Sequence, residues 1–176
     1  GLFQEGLKSL QKALNLNPNH LDTLFQLGRF NSILGNYQEA ANHLNKLLKL
    51  APNYSEVGLL SGKNLVELNQ FKSALPHLEK AVQQQPDSFE AQFYLGLNLI
   101  RLNRSADAIV PFQKAIKIKP ESALTFNHLG QTYQKLKMYP EAIFSYKQAI
   151  RIEPKFTEAY NQLGTLYTFQ KNYEMA

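Results

Sequence analysis

One interval governs this chain. Pro18, Pro52, Pro86, Pro120 and Pro154 stand 34 residues apart, and so do Gly28, Gly62, Gly96, Gly130 and Gly164, and Ala40, Ala74, Ala108, Ala142 and Ala176. Phrases keep the same beat: "LGNYQEA" from Leu34 returns as "LNQFKSA" from Leu68, "LNRSADA" from Leu102, "LKMYPEA" from Leu136 and "QKNYEMA" from Gln170. A fixed period in the range of about 20–50 residues marks an array of similar structural units. Each unit of such an array packs mainly on its neighbours, so the chain needs no single hydrophobic centre. That overrides the one or two globular domains that 176 residues would otherwise suggest.

Within one period the apolar residues fall on two helical stripes. Phe126, Leu129, Gly130, Tyr133 and Leu136 recur at the spacing of one amphipathic helix, and Ala142, Ile143, Tyr146, Ala149 and Ile150 at that of a second. Pro140 suits the first turn of the second helix, where a missing N–H has no intrahelical partner to lose. Pro154 ends it, because proline disfavours helical geometry at the residue before it. The recurrent glycine lies inside the first helix, where it costs about 1 kcal/mol relative to alanine. Its return in every unit demands a compensating gain, which close approach to an alanine on the partner helix would supply. Gly35, Asn69 and Asn103 suit a left-handed link between the helices, whereas Lys137 and Lys171 suit it poorly.

These residues resemble the tetratricopeptide repeat. That pattern runs through a large residue, Leu-Gly, Tyr, Ala, an aromatic, Ala and Pro, and "FNHLGQTYQKLKMYPEAIFSYKQAIRIEP" follows it almost throughout. The resemblance implies an all-α fold, a right-handed α-solenoid of stacked antiparallel helix pairs. It divides the chain into a second helix of a truncated unit at 1–20, complete units at 21–54, 55–88, 89–122 and 123–156, and a first helix with the start of a second at 157–176. Some places depart from the pattern. Gly58, Ser61 and Gly62 weaken the helix "VGLLSGKNL", which is expected to be the least protected; Ser105 replaces the aromatic of the link; Pro76 and Pro111 fall near the starts of second helices, where a slight bend is expected.

The search for chemistry returns little. With no cysteine there is no thiolate ligand or thiol nucleophile. His43 and His77 share one place in the repeat without a cluster of metal-ligand spacing. Glu39, Asp107 and Glu141 open second helices, where the helix dipole accounts for them. The glycines sit 34 apart in helices rather than in a phosphate loop. No catalytic, cofactor or metal site is therefore expected, and no enzymatic activity. The net charge of +5 lies towards the C-terminal half on faces without interleaved aromatics, which argues for solvation over nucleic-acid binding. No apolar run approaches the ~18 residues of a membrane span.

What is left is a surface. The resemblance places the first helices along a concave side where peptides or partner helices bind. Phe25, Arg29, Leu59, Lys63, Phe93, Leu97, Ile100, Arg101, Asn127, Gln131 and Asn161 are the expected peptide-binding residues, with Phe93, Leu97 and Ile100 as its apolar centre. Glu158, Gln134 and Lys135 belong to the same face, and His128 turns towards it. Two specialisations of the family do not carry over. The places that grip chaperone C-termini hold Phe25, Arg29, Leu60, Glu90 and Tyr94, or, one unit on, Leu59, Lys63, Tyr94, Leu124 and His128. The asparagine ladder of sugar-transferase relatives is replaced by Gln26, Leu60, Tyr94, His128 and Gln162. The expected function is a protein-interaction scaffold that binds a peptide segment or partner helix. Two rival readings are the partner-selecting arm of a larger enzyme, and a self-assembling module that associates through its terminal helices.

Overall fold

Residues 2–54 and 56–174 are described in the computed structural model, and every regular element among them is an α-helix. The chain divides into two compact units, residues 1–84 and 85–176. Unit 1 holds α1 (Leu2–Leu16), α2 (Leu21–Ile33), α3 (Tyr37–Leu50), α4 (Val57–Glu67) and α5 (Phe71–Gln84). Unit 2 holds α6 (Phe89–Arg101), α7 (Ser105–Ile118), α8 (Ala123–Lys135), α9 (Tyr139–Ile152) and α10 (Thr157–Glu174). Within each unit successive helices pack on one another, and alternate helices also touch, α2 with α4, α6 with α8 and α8 with α10.

Local chemistry sets where the helices begin. His20 Nδ1 accepts from the Thr23 N–H at 3.2 Å, Ser88 Oγ from Ala91 at 3.3 Å and Ser122 Oγ from Thr125 at 3.3 Å. Each satisfies an amide that the first turn leaves without an intrahelical acceptor. The helix α4 lacks this device. It is the shortest of the ten, its N-cap Glu56 is held at φ 69° with no side-chain cap, and the Ser61 hydroxyl is buried without a partner. Both features add to the grounds for expecting weak protection of "VGLLSGKNL", although α3, α7 and α9 also lack a side-chain cap.

The links end the first helices in one common way. Gly35, Asn69, Asn103 and Lys137 take φ values of 77°, 57°, 59° and 61°. The amide after each donates five residues back, Asn36 to Asn31, Gln70 to Leu65, Arg104 to Leu99 and Met138 to Tyr133, at 2.8–2.9 Å. This is the 6→1 bond of a Schellman motif, which satisfies a terminal carbonyl and offsets the cost of a lysine at positive φ. The corresponding turn at Lys171 does not form, because α10 runs on to Glu174. Pro140 lies in the first turn of α9, as expected, while α5 and α7 continue through Pro76 and Pro111.

The recurrent glycine has a different partner from the alanine expected. A Cβ added at Gly28 would come 2.5 Å from Leu44, at Gly62 2.5 Å from Leu78, at Gly96 2.8 Å from Phe112 and at Gly130 2.6 Å from Tyr146. Each glycine is a socket for a large side chain of the helix that follows, and all four of those side chains are fully buried. Burying each contributes about 1.5–3 kcal/mol, which exceeds the propensity cost of the glycine. The small Ala40, Ala74, Ala108 and Ala142, also fully buried, let the second helix approach closely enough for the knob to seat.

Candidate protein-interaction surface

Three helices of unit 2 build a groove. Short links make neighbouring helices antiparallel, so α6, α8 and α10 run the same way and present one face side by side. Leu97, Ile100 and Arg101 of α6, His128, Gln131, Gln134 and Lys135 of α8, and Glu158 and Gln162 of α10 line a cavity of about 500 Å³. Its apolar side comes from Leu97 and Ile100. Its polar side combines the amides Gln131, Gln134 and Gln162 with Arg101, Lys135, Glu158 and His128, and two of the amides are held in place. Gln131 Nε2 donates to Glu158 Oε1 at 2.8 Å while its Oε1 lies 3.1 Å from His128 Nδ1, and Gln134 Oε1 accepts from the Tyr146 hydroxyl at 2.7 Å.

An aromatic block stiffens the wall behind these amides. The His128 ring lies nearly parallel to Phe112 at 6.0 Å and tilted against Phe93 at 5.7 Å. Burial holds the imidazole below its ordinary value; the Gln131 hydrogen bond and Glu158 act against that, and Arg101 adds to it. His43, beside Lys46 and Glu39, and His77, beside Lys80, are also lowered, chiefly by burial. All three bind protons more weakly in the folded chain than in the unfolded one. Their contribution to stability is therefore complete above the ordinary value of 6.5 and is lost as pH falls through the lowered folded values. The melting temperature should drop between about pH 7.5 and about pH 5, and His128→Gln should shrink the drop. An equal drop in wild type and His128→Gln would contradict this assignment. Burial, aided by Glu158, also pushes the Tyr146 phenol up, so that hydroxyl stays a donor to Gln134.

The expected residues divide in the structure. Leu97, Ile100, Arg101 and Gln131 come together in the groove, although Ile100 keeps only 8% of its surface exposed. Phe93 lies within the aromatic block, against Phe89, Tyr94, Phe112 and His128. Asn127 requires a correction: it is fully buried, and neither its amide nitrogen nor its oxygen has a hydrogen-bond partner. Asn161 is exposed on α10 but does not line the cavity. In unit 1, Phe25 is 8% exposed and belongs to a core cluster with Leu24, Leu44, Leu47 and Val57, its ring 5.5 Å from Tyr54. It too is corrected from contact residue to core. Arg29 is exposed, and Leu59 and Lys63 are half-buried. Phe25, Leu59, Phe93, Asn127 and Asn161 occupy one place in the period, which is buried or half-buried in α2, α4, α6 and α8 and exposed in α10. Gln162 was missed as a groove residue, although it shares its place in the period with His128, which does point there.

A second cavity of about 700 Å³ opens between α7, α8 and α9, with Ile116, Phe126, Tyr133 and Phe144 on its walls. It offers apolar surface but few converging polar groups, of which Gln113 is already bonded to the Tyr133 hydroxyl at 3.1 Å. Tyr160, Tyr167 and Phe169 of α10 are exposed, with Lys147 Nζ 5.9 Å above the Tyr167 ring. Among the described residues no helix is long and apolar enough to cross a membrane, and no group of three or more His, Cys, Asp or Glu is arranged to hold a metal ion.

Sequence profiles of one family, the tetratricopeptide repeat, match residues 9–41, 59–123, 123–156 and 145–176. The chain is a tetratricopeptide repeat protein. No curated protein sequence matches it. Among solved structures it is similar to YrrB, a tetratricopeptide repeat protein with an unusual peptide-binding site, at 26% identity and a TM-score of 0.83 over 90% of this chain and 82% of YrrB. It is also similar to MamA residues 41 to the end from Desulfovibrio magneticus RS-1, at 29% identity and 0.81 over 89% of this chain and 88% of that one. A further MamA structure aligns at 24% identity and 0.79, a likeness of fold alone. Family and neighbours together make this tetratricopeptide repeat protein an all-α solenoid and a protein-interaction scaffold.

Proposed function

We propose that the chain is a non-catalytic scaffold whose unit 2 groove, formed by α6, α8 and α10, captures an extended segment of a partner protein. The observation that carries this reading is the pairing of Leu97 and Ile100 with Gln131, Gln134 and Gln162 in one open cavity. An extended segment presents alternating backbone donors and acceptors. Glutamine amides serve both kinds without the desolvation cost of a charge. The aliphatic pair supplies an anchor for an apolar side chain, the element that usually dominates such contacts. The hydrogen bonds to Glu158, His128 and Tyr146 hold Gln131 and Gln134 before binding, which lowers the entropy that capture must offset. The peptide site for which YrrB is named supports the same class of ligand for a chain of similar fold.

Leu97 is half-buried, so a polar side chain there can reach water. Leu97→Asp should therefore keep the helical circular-dichroism signal and melting temperature while weakening dodecapeptides selected on the wild-type chain by at least about tenfold. Undiminished binding by that variant would place the site elsewhere.

A further inference from the structure

We propose that the unit 2 groove selects an acidic segment, receiving a ligand carboxylate between Arg101 and Lys135. The inference rests on the groove reading above and adds the chemistry of its ligand. Arg101 is the last residue of α6 and Lys135 the last of α8. Because α6 and α8 run the same way and touch, these two cations stand along one edge of a single cavity. Neither has a hydrogen bond or ion pair among the described residues. The carboxylate that also lines the cavity, Glu158, lies in the first turn of α10, towards the other edge, and one of its oxygens already accepts from Gln131. The groove is thus polarised, with free positive charge at the C-terminal edge of its helices and a committed negative charge opposite.

Cations at helix C-termini interact favourably with the helix dipole, but the dipole does not explain this pair. The same place in the period holds Ile33 in α2, Glu67 in α4 and Phe169 in α10. Helix stability evidently imposes no cation there, and two consecutive ones occur only where the cavity opens. Arg101 and Lys135 are both exposed, so they remain hydrated until a ligand arrives. A guanidinium takes a carboxylate through two parallel N–H bonds, and an ammonium beside it adds a point charge. With Leu97 and Ile100 beneath, the matching segment is extended, carries Asp or Glu at this edge and places an aliphatic side chain one or two residues away. The charges should also speed encounter and make binding salt-dependent.

The test uses the whole chain and three fluorescent dodecapeptide sets with identical apolar positions, their polar positions filled by Asp and Glu, by Lys and Arg, or by Gln and Ser. Binding is read by anisotropy, with melting curves confirming that each variant is folded. The wild type should prefer the acidic set by about tenfold or more, and Arg101→Glu combined with Lys135→Glu should invert the preference towards the basic set. Affinity for the acidic set should fall as salt rises from about 0.05 M to about 0.5 M. Equal binding of the acidic and neutral sets, abolished by Leu97→Asp, would overturn the acidic preference and leave the groove in place. Binding that survives Leu97→Asp, or binding of no set, would overturn both. Displacement of the acidic set by a lower concentration of single-stranded oligothymidine, or of phosphatidylserine vesicles, would overturn the protein ligand in favour of phosphate.

Discussion

Gly130→Ala should lower stability by about 1–2 kcal/mol, whereas Gly164→Ala, at the same place in the period, should raise it by about 0.5–1 kcal/mol. Alanine is the better helix former at both places, so propensity alone predicts a gain of about 1 kcal/mol twice. The difference lies in what faces the new methyl. At Gly130 it would come 2.6, 2.8 and 3.0 Å from three ring carbons of Tyr146. That ring cannot swing aside cheaply, being fully buried with its hydroxyl bonded to Gln134 at 2.7 Å. Inserting a methyl into a packed core costs about 1–3 kcal/mol or more, and loss of the hydroxyl bond adds about 1 kcal/mol. At Gly164 nothing lies within 4 Å, so the propensity gain stands alone. Urea titration with amide exchange followed in α8, α9 and α10 reads both effects. Two changes of the same sign would refute the socket account.

The second large effect is expected at Asn127. Asn127→Leu should stabilise the chain by about 1–3 kcal/mol and leave peptide affinity unchanged, measured by the same titration and by anisotropy. The asparagine is fully buried with both ends of its amide unmatched by any protein group, and a buried amide without such a partner costs about 1–3 kcal/mol. Leucine has the same branched skeleton though a larger volume, and the chain already places Leu59 at this point of the period and larger aromatics at Phe25 and Phe93. Weakened peptide binding by Asn127→Leu would restore the asparagine to the site and contradict its placement in the core.

Much of the architecture was legible because the period writes the same instruction several times. One Gly-Ala pairing would be noise, but the series from Gly28 to Gly164 and from Ala40 to Ala176 forces a helix pair. The left-handed links were legible at Gly35, Asn69 and Asn103, and even Lys137 follows them, because the backbone bonds of the link outweigh one unfavourable side chain. The glycine's true partner was harder to see. Spacing reveals that a socket exists, whereas the knob varies from Leu44 to Tyr146 and loses its signature in that variation. Alanine caught the eye because it does not vary.

The site was legible only in part, for a related reason. Residues at one place in the period share a direction, and a helical spacing of 100° per residue does not resolve whether that direction meets a neighbouring helix or the open face. Phe25 and Asn127 are buried among neighbouring helices, while Leu97, Arg101 and Gln131 line the open cavity. The proton-sensitive wall behind the amides was invisible for another reason. His128 depends on Phe112, which is distant in sequence and belongs to a second helix that the groove pattern ignores.

The most direct test of the account follows methyl and aromatic NMR signals across unit 2 as the acidic dodecapeptide set is added. The account predicts shifts at Leu97, Ile100 and His128, with Ile116 and Phe144 in the opposite cavity unmoved. Shifts confined to Ile116, Phe126 and Phe144, with Leu97 silent, would contradict it.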